Sequence, residues 1–291
     1  MLVDLYLVRI IILVSMALAY AIFDIFNNRE VPSAFAYAVI IIAVILSLTY
    51  FGTQEFLLGA GLSLLIAVLG FALYRKGILG AGDTLELIAI ALLLPTQPAP
   101  LLAHVPQLSM PFVLSVFISS GYFAIIVLVL YYMLFARKSP LEKNFHVKKE
   151  RVLTGIILVT AYALLAVMMY ALAGIGVIGI AVIMALAIFS GMMFVFERLM
   201  NYRMVSMLYP RELTQDDMIA TNLMTRQDMA YFRRKSRNFG RLATMKLKRD
   251  LMMERRKLPV YRNAPPLAAF FFIGVVFSLL FGNLIFLVIR I

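Results

Sequence analysis

The sequence predicts an all-α, polytopic integral membrane protein of about eight transmembrane helices, with a small helical cytoplasmic domain before the last of them. Three observations carry this expectation. The chain is 63% hydrophobic with a mean hydropathy of +0.95, which is above ordinary soluble domains. Its apolar residues gather into runs, several close to the ~20 residues that a helix needs to cross a bilayer. Lys and Arg fall between these runs with a strong bias to one side, as cytoplasmic loops require.

Taken in order, the apolar runs give spans at about 5–26, 33–51, 56–74, 82–95, 111–135, 152–172, 175–196 and 266–289. The first begins without a basic leader region or a small-residue cleavage site, so it reads as a helix that stays rather than a removable signal. A polar turn, "NNREVP", separates it from the second, and "GTQE" separates the second from the third. The fourth is short, opening after "RKGILGAGD" and closing on a Pro-rich loop. The sixth and seventh are divided only by "AGIGVIG".

Charge tests the count. With both termini outside, the inside loops hold all of the 27 Lys and Arg except Arg9 and Arg290, and the outside loops hold none. Residues 1–196 then form a membrane domain with helices one to seven, 197–265 a basic cytoplasmic domain, and 266–291 the last transmembrane helix. The cytoplasmic domain carries 16 bases against seven acids, a net +9. Within it "LTQDDMIATNLM" reads as a helix start, with Thr214 as N-cap and Asp216 and Asp217 in the first turn. Its alternation of Met and Leu with bases suits an amphipathic unit lying against anionic headgroups. No nucleic-acid motif accompanies the charge, so nucleic acid is not an expected partner.

The chain has no Cys, which removes disulfides, thiolate nucleophiles and cysteine-ligated metals. Its two histidines, His104 and His146, stand apart and read as loop or interfacial residues, so neither metal nor cofactor is expected. Any chemistry must come from carboxylates, hydroxyls or lysines. Acids inside a membrane domain are rare and tend to mark function. Asp24 closes the first span and Asp83 opens the fourth, and the charge rule brings both to the cytoplasmic boundary, with Glu86 one turn further along. Two adjacent carboxylates share a proton, one serving as base toward water and the other as acid toward a peptide carbonyl. Each acid also has a plainer reading: Asp83 as a first-turn acid favoured by the helix dipole, Asp24 as an interfacial partner of Arg29. Glycines at 77, 80 and 82 allow the backbone before Asp83 to leave the helix and a neighbour to approach.

"GAGD" at 80–83, after "RKGIL", together with the earlier "DIFNNREVP" at 24–32, resembles the GxGD membrane aspartyl proteases of the type IV prepilin and archaeal preflagellin peptidase family. The resemblance covers residues 1 to about 95 well and the remainder loosely, although "LPVYRNAPPLAAFFFIGVVFSLLFGN" looks like the family's re-entry into the membrane after a cytoplasmic domain. It implies that Asp24 and Asp83 are the catalytic pair, supported by Gly80 and Gly82. Its substrates would be the short basic leaders of pilin-like or flagellin-like precursors, cut at the cytoplasmic face of the cell membrane. The chain departs from the family where Leu85 and Glu86 stand in place of a Lys two residues after the second aspartate, in a slightly longer turn after Asp24, and in its helix count. A presenilin-like protease would place Tyr before the first aspartate, where this chain has Phe23.

A basic leader would be repelled by a domain of net +9, so Glu30, Glu86, Asp216 and Asp217 are the expected leader contacts. Two other classes of function fit the same acids. One is a proton- or cation-coupled transporter or channel, against which no inverted repeat is visible. The other is a scaffold whose basic domain binds lipid or a partner.

Overall fold

The computed structural model describes residues 2–27, 31–75, 79–102, 110–135, 146–214, 217–236, 239–240, 243–262 and 265–285. These form two compact units. The first comprises residues 1–127, 156–191 and 266–291, and the second comprises 128–155 and 192–265.

Ten α-helices occur among the described residues: α1 (Leu2–Phe26), α2 (Ser33–Ser47), α3 (Gln54–Arg75), α4 (Ala81–Leu93), α5 (Phe112–Leu130), α6 (Lys149–Ala173), α7 (Val177–Met204), α8 (Arg226–Lys235), α9 (Met245–Leu251) and α10 (Leu267–Phe281). Six segments are long and apolar enough to cross a membrane, beginning with α1, α2, α3, α5, α6 and α7. The chain therefore fits a membrane-embedded, polytopic helical protein, but the expected count of eight is corrected. The two remaining expected spans are the shorter helices α4 and α10, of 13 and 15 residues. At 1.5 Å per residue α4 is only about 20 Å long, against a hydrocarbon core of ~30 Å. Pro95 stops it by holding Leu94 out of the helical region, at φ −132° and ψ 88°. Gly282 stops α10 at φ +82°, a conformation costly to any residue with a Cβ.

In the first unit α4 is the enclosed helix, touching α1, α2, α3 and α10. Ala89, Ile90 and Ala91 have no exposed surface. Lipid offers helices no hydrophobic reason to associate, so close packing depends on small residues. On α3 these are Gly59, Ser63 and Gly70, all buried, while Leu57, Leu64, Leu65 and Val68 on other faces are exposed. A Cβ on Gly70 would collide with the Thr84 side chain, and one on Gly59 would sit 3.0 Å from Pro95. A second seam joins α5 to α10. There Ser119 and Ser278 share a hydroxyl contact at 3.3 Å, the Asn283 amide donates to Ser115 Oγ at 3.0 Å, and Gly274 lies against Ser120.

The irregular segment after α4 has its backbone satisfied by α10. The Leu101 and Leu102 amides donate to the Leu279 and Leu280 carbonyls at 3.1 and 2.8 Å, and the Gln97 side chain donates to the Ser278 carbonyl at 2.9 Å. These carbonyls are among those that a helix leaves without internal partners at its C-terminus. Arg9, the base that stood outside the charge rule, is buried and takes on the same task for α2. Its guanidinium donates to the Leu46 carbonyl at 3.3 Å and to Thr49 Oγ1, and lies 4.0 Å from the centre of the Tyr50 ring.

The second unit contains α8, α9 and a two-stranded antiparallel ribbon of β1 (Ser206–Leu208) and β2 (Leu258–Val260), in register Ser206 to Val260. Its own core includes Leu213, Ile219, Phe232, Leu247, Leu251 and Val260. The helix expected from Thr214 does not form over the described part of that stretch. Ile219 bridges to Val260 and the Met218 carbonyl accepts from the Tyr261 amide at 2.8 Å, so strand pairing claims the backbone. The helix starts instead after Thr225, whose hydroxyl caps the Asp228 amide at 3.1 Å. At the end of α5 the chain winds into a π-helical turn, Tyr131–Phe135, where the Arg203 guanidinium donates to the carbonyls of Tyr132 and Met133.

The packing of α3 on α4 has a measurable consequence. Gly70→Ala should destabilise the protein by about 1–3 kcal/mol through overpacking. Gly61→Ala, where nothing lies within 4 Å of the added Cβ, should leave stability unchanged or raise it by up to ~1 kcal/mol. Thermal unfolding of both variants in detergent, followed by circular dichroism, checks the contrast.

Candidate active site

Asp24 lies in the last turn of α1 and is 8% exposed. Its Oδ2 accepts from the backbone amide of Ala268 at 2.9 Å, across 244 residues of sequence. The reason is local. Helix α10 begins at Pro266, whose side chain caps nothing, and the first amides of any helix lack internal partners. A carboxylate from another helix supplies the missing acceptor at the positive end of the helix dipole.

Asp83 is the third residue of α4 and is partly exposed. Its Oδ2 accepts from the Gly80 amide at 3.2 Å, so the carboxyl folds back over the start of its own helix. The two glycines of the motif act differently. A Cβ at Gly80 would stand 2.8 Å from Asp83 Oδ2, which forces that carboxyl to move. A Cβ at Gly82 would meet Val31 at 3.4 Å, so Gly82 lets the chain leaving α1 lie against the opening of α4. Gly77 lies outside the described residues.

α1 and α4 are in contact, and Asp24 and Asp83 lie within electrostatic reach of each other. Glu86, one turn beyond Asp83, feels both. It is fully buried, and neither of its carboxyl oxygens has a hydrogen-bond partner among the described residues. On the facing helix Tyr20, one turn before Asp24, is also fully buried with its hydroxyl unpartnered, in the field of Glu86 and Asp83. Tyr20 and Asp24 on α1 and Asp83 and Glu86 on α4 thus lie within electrostatic reach of one another where the two helices touch. Phe35 of α2 closes this group from the side, stacking edge-on against Tyr20 at 5.2 Å and tilted against Phe23 at 5.1 Å.

Tyr20 was not singled out from the sequence. Its signal is its spacing of four before Asp24, which sets both on one face of α1. Of the four expected leader contacts, Glu30 and Asp216 lie outside the described residues. Glu86 has no surface to offer a peptide. Asp217 is committed to its own unit, accepting from the Thr214 amide at 2.7 Å and facing Arg262 at 3.8 Å. Leu85, standing where the family pattern has a Lys, packs against the core of the first unit. Of the two histidines, His104 lies outside the described residues and His146 is exposed. No group of three His, Cys, Asp or Glu side chains suited to a metal ion occurs among the described residues.

Chemically, neighbouring carboxyls of this kind can share a proton, and Asp83 is the one of the two aspartates with partial exposure. The double duty of Asp24 can be separated by substitution. Asp24→Ala removes the acceptor for Ala268 and should cost about 0.5–2 kcal/mol of stability. Asp24→Asn keeps a carbonyl oxygen in place and should melt close to the native protein, as thermal unfolding in detergent would register. No family model, no curated protein and no solved structure matches this chain, so its function has to be argued from these residues.

Proposed function

We propose that the protein is a membrane aspartic endopeptidase in which Asp24 and Asp83 activate water against a peptide bond. The observation that carries this reading is the contact of α1 with α4, with Asp24 and Asp83 near enough to sense each other's charge, the first buried and the second partly exposed. In the reaction one carboxylate accepts a proton from water, whose oxygen attacks the peptide carbonyl carbon. The other carboxyl, protonated, donates to the carbonyl oxygen as it becomes a tetrahedral hydroxyl. Collapse of that intermediate breaks the C–N bond, and a proton passes to the leaving amine nitrogen. The carboxyl pair ends the cycle with the single proton it began with.

The GxGD resemblance extends the proposal to substrate. In this reading the protein removes short basic leaders from pilin-like or archaeal flagellin-like precursors, with its acids on the cytoplasmic side of the cell membrane and both termini outside.

A second reading has its own support in Glu86 and Tyr20. Buried polar groups without partners, next to two more carboxyls, are also what a proton or cation path uses. The two readings part in one experiment. With the purified protein and a precursor bearing a basic leader in the same proteoliposomes, Asp24→Asn and Asp83→Asn should each lower cleavage by about 10²–10⁴-fold. Both variants should remain folded. Native-level cleavage by either variant rejects the dyad, and acid-dependent proton flux without any cleavage favours the transport reading.

A further inference from the structure

The second unit contains a cleft of about 440 Å³ that the proposed chemistry leaves unused. One wall is the start of α6, with Lys148 and Arg151, and the other is the end of α7, with Glu197 and Arg198. The 222–225 segment forms the remaining side, presenting the Asn222 and Thr225 side chains. Three permanent cations thus face one acid. Arg151 pairs with Glu197 at 2.7 Å, which leaves the charges of Lys148 and Arg198 without an acidic partner among the described residues. Arg198 is nevertheless fixed in direction, because its Nε donates to the Tyr202 hydroxyl at 2.6 Å.

The walls change character abruptly beyond these bases. On α6, Val152 and Leu153 are 39% and 61% exposed, and on α7, Met193 and Phe194 are 38% and 41% exposed. Arg151 spans the boundary, its guanidinium 6.0 Å from the centre of the Phe194 ring. A polar, cationic hollow opening directly onto exposed apolar side chains matches an amphiphile with an anionic head. A free phosphate would use only the first half of this surface.

We propose that this cleft binds the phosphate headgroup of an anionic phospholipid, with Lys148 and Arg198 on the phosphate and the acyl chains along the Val152–Leu153 and Met193–Phe194 surfaces. The amide nitrogen of Asn222, whose oxygen already accepts from the Tyr261 hydroxyl, suits a headgroup that carries hydroxyls. The site differs from a diffuse basic surface in being local, and binding falls with two named charges rather than with net charge.

The test uses the full chain in detergent, with dioleoylphosphatidylglycerol or dioleoylphosphatidylcholine added and bound lipid counted by native mass spectrometry. The native protein should retain phosphatidylglycerol over phosphatidylcholine. Lys148→Gln with Arg198→Gln should weaken phosphatidylglycerol by about 30-fold, from the usual worth of two bases near an anionic headgroup. Lys246→Gln with Arg249→Gln, equal in charge but on α9 away from the cleft, should leave it unchanged. Lys148→Arg should bind as the native protein does, which guards against loss through misfolding. Equal weakening by the two double variants overturns the proposal, as does loss of binding in Lys148→Arg. Displacement of the lipid by an excess of inorganic phosphate, with no preference between the two lipids, also overturns it by assigning the cleft to free phosphate.

Discussion

A carboxyl group cannot face hydrocarbon without heavy cost, and the membrane unit is built around that constraint. Glu86 has no exposed surface and Asp24 almost none, because α1, α2, α3 and α10 surround the short helix that carries Asp83 and Glu86. Enclosure at that closeness is not driven by hydrophobicity, since lipid tails are as apolar as Leu. It depends on side chains that are nearly absent: Gly59, Ser63 and Gly70 on α3. The brevity of α4 follows from the same arrangement. A helix wrapped on several sides by longer neighbours does not have to reach either headgroup layer on its own.

Much of this was legible in the sequence, and what was not has definite causes. Long apolar runs and the bias of Lys and Arg identify the spanning helices, because those signals are set by the bilayer rather than by tertiary contacts. The count went astray at α4, a run already short of a bilayer's thickness where Pro95 closes it, and at α10, where Gly282 stops a helix inside a run that remains apolar beyond it. The helix expected at Thr214 fails for a different reason. A good capping pattern there competes with the bridge from Ile219 to Val260, and nothing near Thr214 reveals that distant partner. Arg9 looked like an exception to the charge rule until its carbonyl partners on α2 were visible.

At the site, the aspartates could be singled out because a lone charge in an apolar run stands out. Tyr20 could not, since a tyrosine in such a run is unremarkable until its hydroxyl proves to be enclosed without a partner. The bond from Asp24 to Ala268 was also beyond sequence reasoning, as it needs knowledge of which helix starts beside the end of α1. That bond gives Asp24 a structural task in addition to its proposed chemical one, so loss of activity on removing it has two possible origins. The amide replacement separates them because it preserves the acceptor and removes the acid.

The same bond also has a consequence for biogenesis. A ribosome that has completed α1 must add 244 residues before the amide that receives Asp24 exists, an interval of about 12–50 s at ordinary rates of elongation. Over that time the buried acid has to be accommodated by the insertion machinery or by transient neighbours. A nascent chain therefore holds Asp24 long before the helix whose amide receives it exists. Folding around this acid thus waits on a contact between segments far apart in sequence, not on completion of the helix that carries it.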